Sequence, residues 1–339
     1  MADLRDVLAA AIETADRTLG ATPGTGWVLG DVAIAVRLDA RGRIPSLAAM
    51  VGVDPTPPAP DAWRIDVVGG GMERHSALLP AEARRGASTL RADGDLYYLW
   101  LDEAGGYLTA IDRRSRRGLV WFTDPDRIAS WHVARPLLHA LKGISLTTPW
   151  TPVHAAAAAW RGRAVVAIGQ SGAGKTSLAL ACATAGWNYL GDDAVLLRGG
   201  PPAVARLYSS ARVRTDMFGV FAGAMTASLG LSDDAGELKA ELDMRRIGAC
   251  GADSAPVAAI VLPARDGAAA PRLYPVGRSE TVRRMAVAAR QSLQGDDMAT
   301  FHKLAAMVRD VPCYGFDPGP DPFAAAEALA RLVEAGGSA

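Results

Sequence analysis

The sequence predicts an α/β protein, a P-loop core preceded by a small β-rich α+β domain, on three observations. The stretch Arg163 to Leu197 reads RAVVAIGQSGAGKTSLALACATAGWNYLGDDAVLL: an apolar strand, a glycine-rich turn, a helix, and a second strand carrying two adjacent aspartates. Within it Gly169, Gly174, Lys175 and Thr176 complete G-x-x-x-x-G-K-[ST], a loop whose backbone N–H groups cradle phosphates while the lysine and hydroxyl reach phosphates and Mg²⁺. From Trp27 to about Phe122, by contrast, short apolar runs are separated by Gly, Pro and Asp, the pattern of antiparallel strands.

Composition narrows the class. A chain of 339 residues, half of them hydrophobic, can bury one large core or two ordinary ones. Lys+Arg and Asp+Glu are equal at 36 each, so no basic excess points to nucleic acid or an anionic membrane. Cys182, Cys250 and Cys313 are widely spaced and odd in number, neither a disulfide framework nor a metal pattern, and Cys182 reads as a small buried thiol. The first twenty residues lack the basic and long apolar regions of a signal peptide, and no run approaches the ~18 apolar residues of a membrane span. The expected compartment is the cytoplasm, with no membrane and no nucleic-acid partner.

Taken in order, Leu4, Val7, Leu8, Ala11, Ile12, Ala15 and Leu19 recur at helical steps, so the chain opens with an amphipathic helix closed by Gly20. The runs GWVLGDVAIAVRL, WRIDVVGG, DLYYLWLD, GYLTAID and GLVWFTD follow as strands of a domain assigned to residues 1–125. Arg113, Arg114, Arg116 and Arg117 mark a hairpin tip, either solvated or a dock for an acidic peptide. Residues 124–142 read as a helix interrupted at Pro136; its His132 and His139 are assigned no chemistry. The catalytic domain is assigned to 126–335. In it TPVHAAAAAW, RGR and AVVAIG form a hairpin feeding the P-loop, and a helix over 175–185 stops at Gly186. YLGDDAVLL, ARLYSS, PVAAIVLPA, PRLYPVG and VPCYGF read as strands, and FGVFAGAM, SETVRRMAVAARQSL, DDMATFHKLAAMV and DPFAAAEALARLVEA as helices, the last with Asp321 as N-cap and Pro322 in its first turn.

The chemistry gathers at the loop. Gly169, Gln170, Ser171, Gly172, Ala173, Gly174, Lys175, Thr176 and Ser177 are the phosphate-binding residues. A lysine at a helix start opposes the helix dipole and wants an anion beside it. Asp192 and Asp193 come at once in the next strand, where one carboxylate can hold Mg²⁺ and the other accept a hydroxyl proton, the division of labour phosphoryl transfer needs. His154, on the strand beside the P-loop strand and followed by five alanines that leave room near the phosphates, can contact the transferred group or tune a carboxylate.

This constellation, VHAAAAAWRGRAVVAIGQSGAGKTSLALACATAGWNYLGDDAVLL, resembles the catalytic core of HPr kinase/phosphorylase, and more closely the related kinases found with ribosomally made peptides, including lasso-peptide precursor kinases. LYSSAR at 207–212 and VPCYGF near the end are similar to the peptide-associated members, and phosphoenolpyruvate carboxykinase shares the fold. The resemblance spans about residues 130–335. It implies ATP and Mg²⁺ as cofactors, with Gly169 to Thr176 holding ATP, Lys175 gripping the β- and γ-phosphates, and Thr176, Asp192 and Asp193 on the metal. It implies a general base in the aspartate pair, for which Asp193 is favoured with Asp192 on the metal side, an active-site histidine in His154, and Arg212 or Lys239 as a cation for the transferring phosphate. Neither the glutamate followed by R-G-x-G-I of true HPr kinases nor their later segment tied to phosphorolysis has a counterpart here, which points away from HPr and from the reverse reaction.

The expected activity is therefore an ATP-dependent serine kinase acting on a peptide or protein, such as a lasso-type precursor, with a homo-oligomer allowed by the rings that family members form. A small-molecule kinase of the adenylylsulfate-kinase type and a non-catalytic nucleotide sensor or peptide-binding module are the alternatives.

Overall fold

The computed structural model describes residues 4–39, 56–70, 89–101, 106–124, 127, 135, 137–170, 172–234, 237–290 and 297–336. The chain divides between Thr148 and Pro149 into two compact units, later than the expected boundary at 125. The reason is a helix that belongs with the first unit: α2, Leu138–Ser145, packs on strands of the N-terminal sheet, and its His139 ring rests 5.7 Å from Tyr107. Most of the helix expected over 124–142, His132 included, lies outside the described residues.

In the first unit α1, Leu4–Leu19, lays Leu8, Ala11, Ile12, Ala15 and Leu19 on one face of a seven-stranded sheet, against Val68, Leu108, Leu119 and Trp121. The strands are β1 Thr25–Leu29, β2 Val32–Leu38, β3 Trp63–Gly69, β4 Thr89–Asp93, β5 Leu96–Leu101, β6 Tyr107–Asp112 and β7 Arg117–Phe122, in the order β1-β2-β3-β7-β6-β5-β4. The expected all-antiparallel arrangement is corrected at the centre, where β3 runs parallel to both β2 and β7. Its near-continuous burial is what a central parallel strand requires. Of the arginines at the β6–β7 turn, Arg113 donates to the Gly143 carbonyl and Arg117 to Asp16 and Asp66. Those two side chains are committed within the unit.

The second unit is a three-layer α/β sandwich. Its main sheet contains β8 Trp150–Val153, β9 Ala156–Trp160, β10 Arg163–Ala167, β11 Asn188–Gly191, β12 Val195–Gly199, β13 Pro202–Arg206, β17 Ser254–Pro263, β18 Arg272–Pro275 and β19 Cys313–Asp317. A separate three-stranded sheet is ordered β14 (Ser210–Arg214), β16 (Glu237–Asp243), β15 (Ser228–Asp234). Helices α3 (Lys175–Thr184) and α6 (Pro322–Ala335) cover one face of the main sheet, and α4 (Arg278–Arg290) and α5 (Asp297–Asp310) the other. The Asp321 cap forms as expected, its carboxylate accepting the Phe323 amide at 2.9 Å. FGVFAGAM is not an α-helix: one short 3-10 turn precedes it and another begins at its Ala224, with Phe221 and Ala224 buried in the core and Phe218 and Met225 packed partly buried against it.

The β9–β10 hairpin turns at Arg161-Gly162, both with positive φ (48° and 80°), as a two-residue hairpin demands. The alanines preceding it correct one expectation. Ala155, Ala157 and Ala159 face one core and Ala156 and Ala158 the other, all at most 4% exposed, so their smallness lets both helical layers close on the sheet. They do not open space near the loop.

Strand direction fixes where chemistry can gather. β17 runs parallel to β10, and β19 parallel to β17. β11 is antiparallel to β9, itself antiparallel to β10, so β11 shares the direction of β10. The C-terminal ends of β10, β11, β17 and β19 therefore meet at one edge, together with the start of β9, the edge at which open α/β sheets bind ligands.

Candidate active site

At that edge β10 passes into the P-loop. Gly172 and Gly174 adopt φ of 81° and 91°, left-handed values that suit glycine, and bend the chain onto the start of α3. Gly174 caps α3 with no side-chain hydrogen bond, so the first N–H groups of the helix have no side-chain acceptor at the cap. Lys175 folds back across the loop, Nζ donating to the carbonyls of Gly169 at 2.8 Å and Gln170 at 3.0 Å. Lys175 as a whole is 6% exposed. Burial lowers its pKa from the ordinary lysine value, and the carboxylates of Asp192 and Asp193 oppose that shift. A buried cation of this kind is stabilised by an incoming anion.

The aspartates do not lie within a strand. β11 ends at Gly191, whose φ of 143° no side-chain-bearing residue takes easily, and the chain turns through Asp192 and Asp193 before β12. A β-carbon at Gly191 would stand 2.7 Å from Val195 Cγ1, so glycine is needed there on steric grounds too. The turn separates the two side chains by environment. Asp192 is 1% exposed and its Oδ1 accepts the Thr176 hydroxyl at 3.0 Å. Asp193 sits in the left-handed region with φ 66°, its side chain 35% exposed at the cavity wall.

His154 also lies outside the strand expected to carry it, in the bend between β8 and β9. Its Nδ1 meets the Asp193 carbonyl at 2.8 Å, and because a carbonyl only accepts, Nδ1 carries the proton and Nε2 the lone pair when the ring is neutral. The Asp193 carboxylate is 3.9 Å from the same nitrogen. His154 thus clamps the backbone of a residue held in an unfavourable conformation.

A cavity of about 290 Å³ opens over the loop. Its wall includes Gly172, Gly174, Lys175, Thr176, Ser177, His154, Asp193, Arg212 and Lys239, so most of the sequence-derived residues converge. Gly169, Gln170 and Ala173 complete the loop behind them, Asp192 joins through Thr176, and Ser171 lies outside the described residues. Arg212 and Lys239 arrive on adjacent strands, Arg212 opposite Glu241 and Lys239 opposite Arg214. ELKAELD is strand β16, with Ala240 and Leu242 in the core, Glu241 and Asp243 buried as well, and Lys239 at the cavity.

Two cations went unnoticed in the sequence. Arg214 neighbours Arg212 by strand periodicity, which could have found it. Arg265, in the loop after β17, has no local signal. A β-carbon at Gly174 would stand 3.7 Å from Arg265 Nε and Nη2, which places this guanidinium at the P-loop helix start. Five cations (Lys175, Arg212, Arg214, Lys239, Arg265) and three carboxylates (Asp193, Asp216, Glu237) line the cavity, Arg214 paired with Asp216 and Glu237 and Lys239 with Glu237, which leaves a positive excess suited to phosphates.

Among the described residues no group of three or more His, Cys, Asp or Glu side chains gathers as a metal site. Mg²⁺ does not need one, because it is held by one or two carboxylates together with phosphate oxygens and water. The Thr176 hydroxyl and Asp192 carboxylate, 3.0 Å apart at the start of α3, are hard oxygen donors that fit it. Elsewhere Cys182 is buried in α3, its thiol pushed up to about 12 by that burial, as a packing residue should be. No helix among the described residues is long and apolar enough to cross a membrane.

No family model matches the sequence, and neither does any curated protein. Among solved structures, the HPr(Ser) kinase/phosphatase of Coxiella burnetii is similar to 55% of this chain and 89% of its own, at 13% identity and a TM-score of 0.30. At that level of likeness the functional reading rests on the site's own geometry.

Proposed function

We propose that the chain is an ATP- and Mg²⁺-dependent phosphotransferase, a serine kinase whose acceptor is a hydroxyl of a peptide or protein such as a lasso-type precursor. The observation that carries the reading is the 3.0 Å contact between Thr176 and Asp192 beside the P-loop, with Asp193 lining the cavity over the same loop. Two carboxylates adjacent in sequence thereby stand in different environments, one for the metal side and one for the acceptor.

In this reading the loop amides and Lys175 hold the β- and γ-phosphates. Bound Mg²⁺ would be held by Thr176 and Asp192 and would neutralise phosphate charge. Asp193 accepts the proton of the acceptor hydroxyl as that oxygen attacks the γ-phosphorus, and the bond to the bridging oxygen of ADP breaks in line. His154 holds the Asp193 turn, and Arg212, Lys239 and Arg265 oppose the charge on the phosphoryl oxygens. The acceptor class comes from the sequence resemblance.

Incubation with ATP, Mg²⁺ and candidate serine-bearing peptides should give a gain of ~80 Da, one phosphoryl group, by mass spectrometry. ATP binding with no transfer to any peptide or protein would overturn the kinase reading in favour of a nucleotide sensor. Transfer to a small molecule alone would overturn the peptide acceptor.

A further inference from the structure

Arg265 reaches the P-loop from an exposed loop, and among the described residues no hydrogen bond or ion pair holds its guanidinium. An unheld arginine loses considerable side-chain entropy on meeting a phosphate, so its usefulness depends on how firmly its backbone is placed. The residues on either side of it are both tied to β19. The Ala264 amide donates to the Phe316 carbonyl at 2.9 Å, and the Asp266 amide to Asp317 Oδ2 at 2.9 Å. Asp317 Oδ2 also accepts the Ala268 amide at 3.0 Å, and Oδ1 the Gly319 amide at 2.9 Å. Asp317 is 1% exposed as a residue and is paired in register with Arg272 across the β18–β19 ladder.

We propose that Asp317 is a positioning residue for phosphoryl transfer, a buried carboxylate that staples the 264–268 loop so that Arg265 is presented at the P-loop. This rests on the phosphotransferase reading above. A buried carboxylate is costly unless several donors satisfy it, and three backbone amides do so here. The same amides, helped by Arg272 and led by that of Gly319, hold its pKa below the ordinary aspartate value, so it stays ionised at neutral pH. Sheet topology supplies the leverage. β19 is parallel to β17, so the end of one strand faces the loop leaving the other.

The test compares the full chain with Asp317→Asn, Arg265→Ala and the double variant, in amide exchange, MgATP affinity by calorimetry, and transfer rate. Asn keeps the volume but loses one acceptor oxygen, which protects against a variant that fails to fold. Faster exchange at Asp266 and Ala268 is expected in Asp317→Asn, with a loss of transfer of up to about 10²-fold, the order that misplacement of a positioning group costs. The double variant should be no worse than Arg265→Ala alone, because the carboxylate acts through that arginine. Multiplying losses in the double variant, or an Asp317→Asn chain that exchanges and binds MgATP like the parent, would overturn the proposal. Should the parent bind MgATP without transferring phosphate, the kinase reading fails while exchange and affinity still decide the role of Asp317.

Discussion

Asp193 offers the sharpest experiment, because its backbone and its side chain make opposite predictions. At φ 66° a residue other than glycine costs roughly 1–2 kcal/mol, with Asp toward the lower end because its short polar side chain tolerates the left-handed region. Replacement by glycine removes that cost but adds about 0.5–1 kcal/mol of unfolded-chain entropy. Asp193→Gly should therefore leave stability unchanged or raise it by up to about 1 kcal/mol, a shift in Tm of at most about 2–4 °C for a unit of this size. The same substitution removes the proposed base, and transfer should fall by about 10²–10⁴-fold. Asp193→Asn, which also tolerates the left-handed region, should lose transfer to the same degree at unchanged Tm. Differential scanning calorimetry and a timed transfer assay read the two effects. If Asp193→Gly unfolded several degrees below the parent, the turn would not be strained as argued; wild-type transfer by Asp193→Asn would remove it as the base.

Three further outcomes follow from the same geometry. Thr176→Val, which deletes the donor to Asp192 Oδ1, should raise the Mg²⁺ concentration needed for half-maximal transfer by about 10–100-fold, while Thr176→Ser restores it, as read by Mg²⁺ titration. The lowered pKa of Lys175 in the free chain is raised by bound phosphates, so ATP affinity should be full below the free-chain value and fall as pH rises through it. Calorimetry at alkaline pH in buffers of different ionisation heat should register the accompanying proton uptake, and affinity constant up to the ordinary lysine value would refute it. Arg212→Ala breaks a 3.5 Å ion pair with Glu241 in which both partners are buried, and should cost about 3–5 kcal/mol in denaturant unfolding, whereas Lys239→Ala should leave the midpoint in place.

Local turn chemistry made the P-loop legible: glycines at fixed offsets, a strand before and helix formers after. The β9–β10 hairpin was legible for the same reason, since Arg161-Gly162 is a two-residue turn written in the sequence. The aspartate turn was not, because apolar residues flank GDD on both sides and the run reads as one strand. Only the backbone at Gly191, with φ 143°, shows that the strand must stop there. The parallel pairing of β3 was hidden because direction is a property of chain return, not of residue pattern. Arg265 was hidden more deeply, since what places it is a carboxylate 51 residues from the amide it accepts. A loop closed at that sequence separation leaves no periodic trace.

The separation of the two aspartates explains why the pair needs a turn at all. In a strand, successive side chains point to opposite faces of the sheet, so Asp192 and Asp193 could not both serve one cavity. A left-handed residue breaks that alternation, so Asp192 can lie buried against Thr176 while Asp193 lines the cavity. The conformation is unfavourable in isolation, and it is held by groups that reach it from neighbouring elements: the His154 ring, from the bend between β8 and β9, on the Asp193 carbonyl and, one residue earlier, the Thr176 hydroxyl, from the start of α3, on Asp192. Removing the imidazole should therefore act on transfer through the Asp193 turn. His154→Ala in an Asp193→Asn background should then lower transfer no further, and an additional loss would mean that the histidine touches the reacting groups itself.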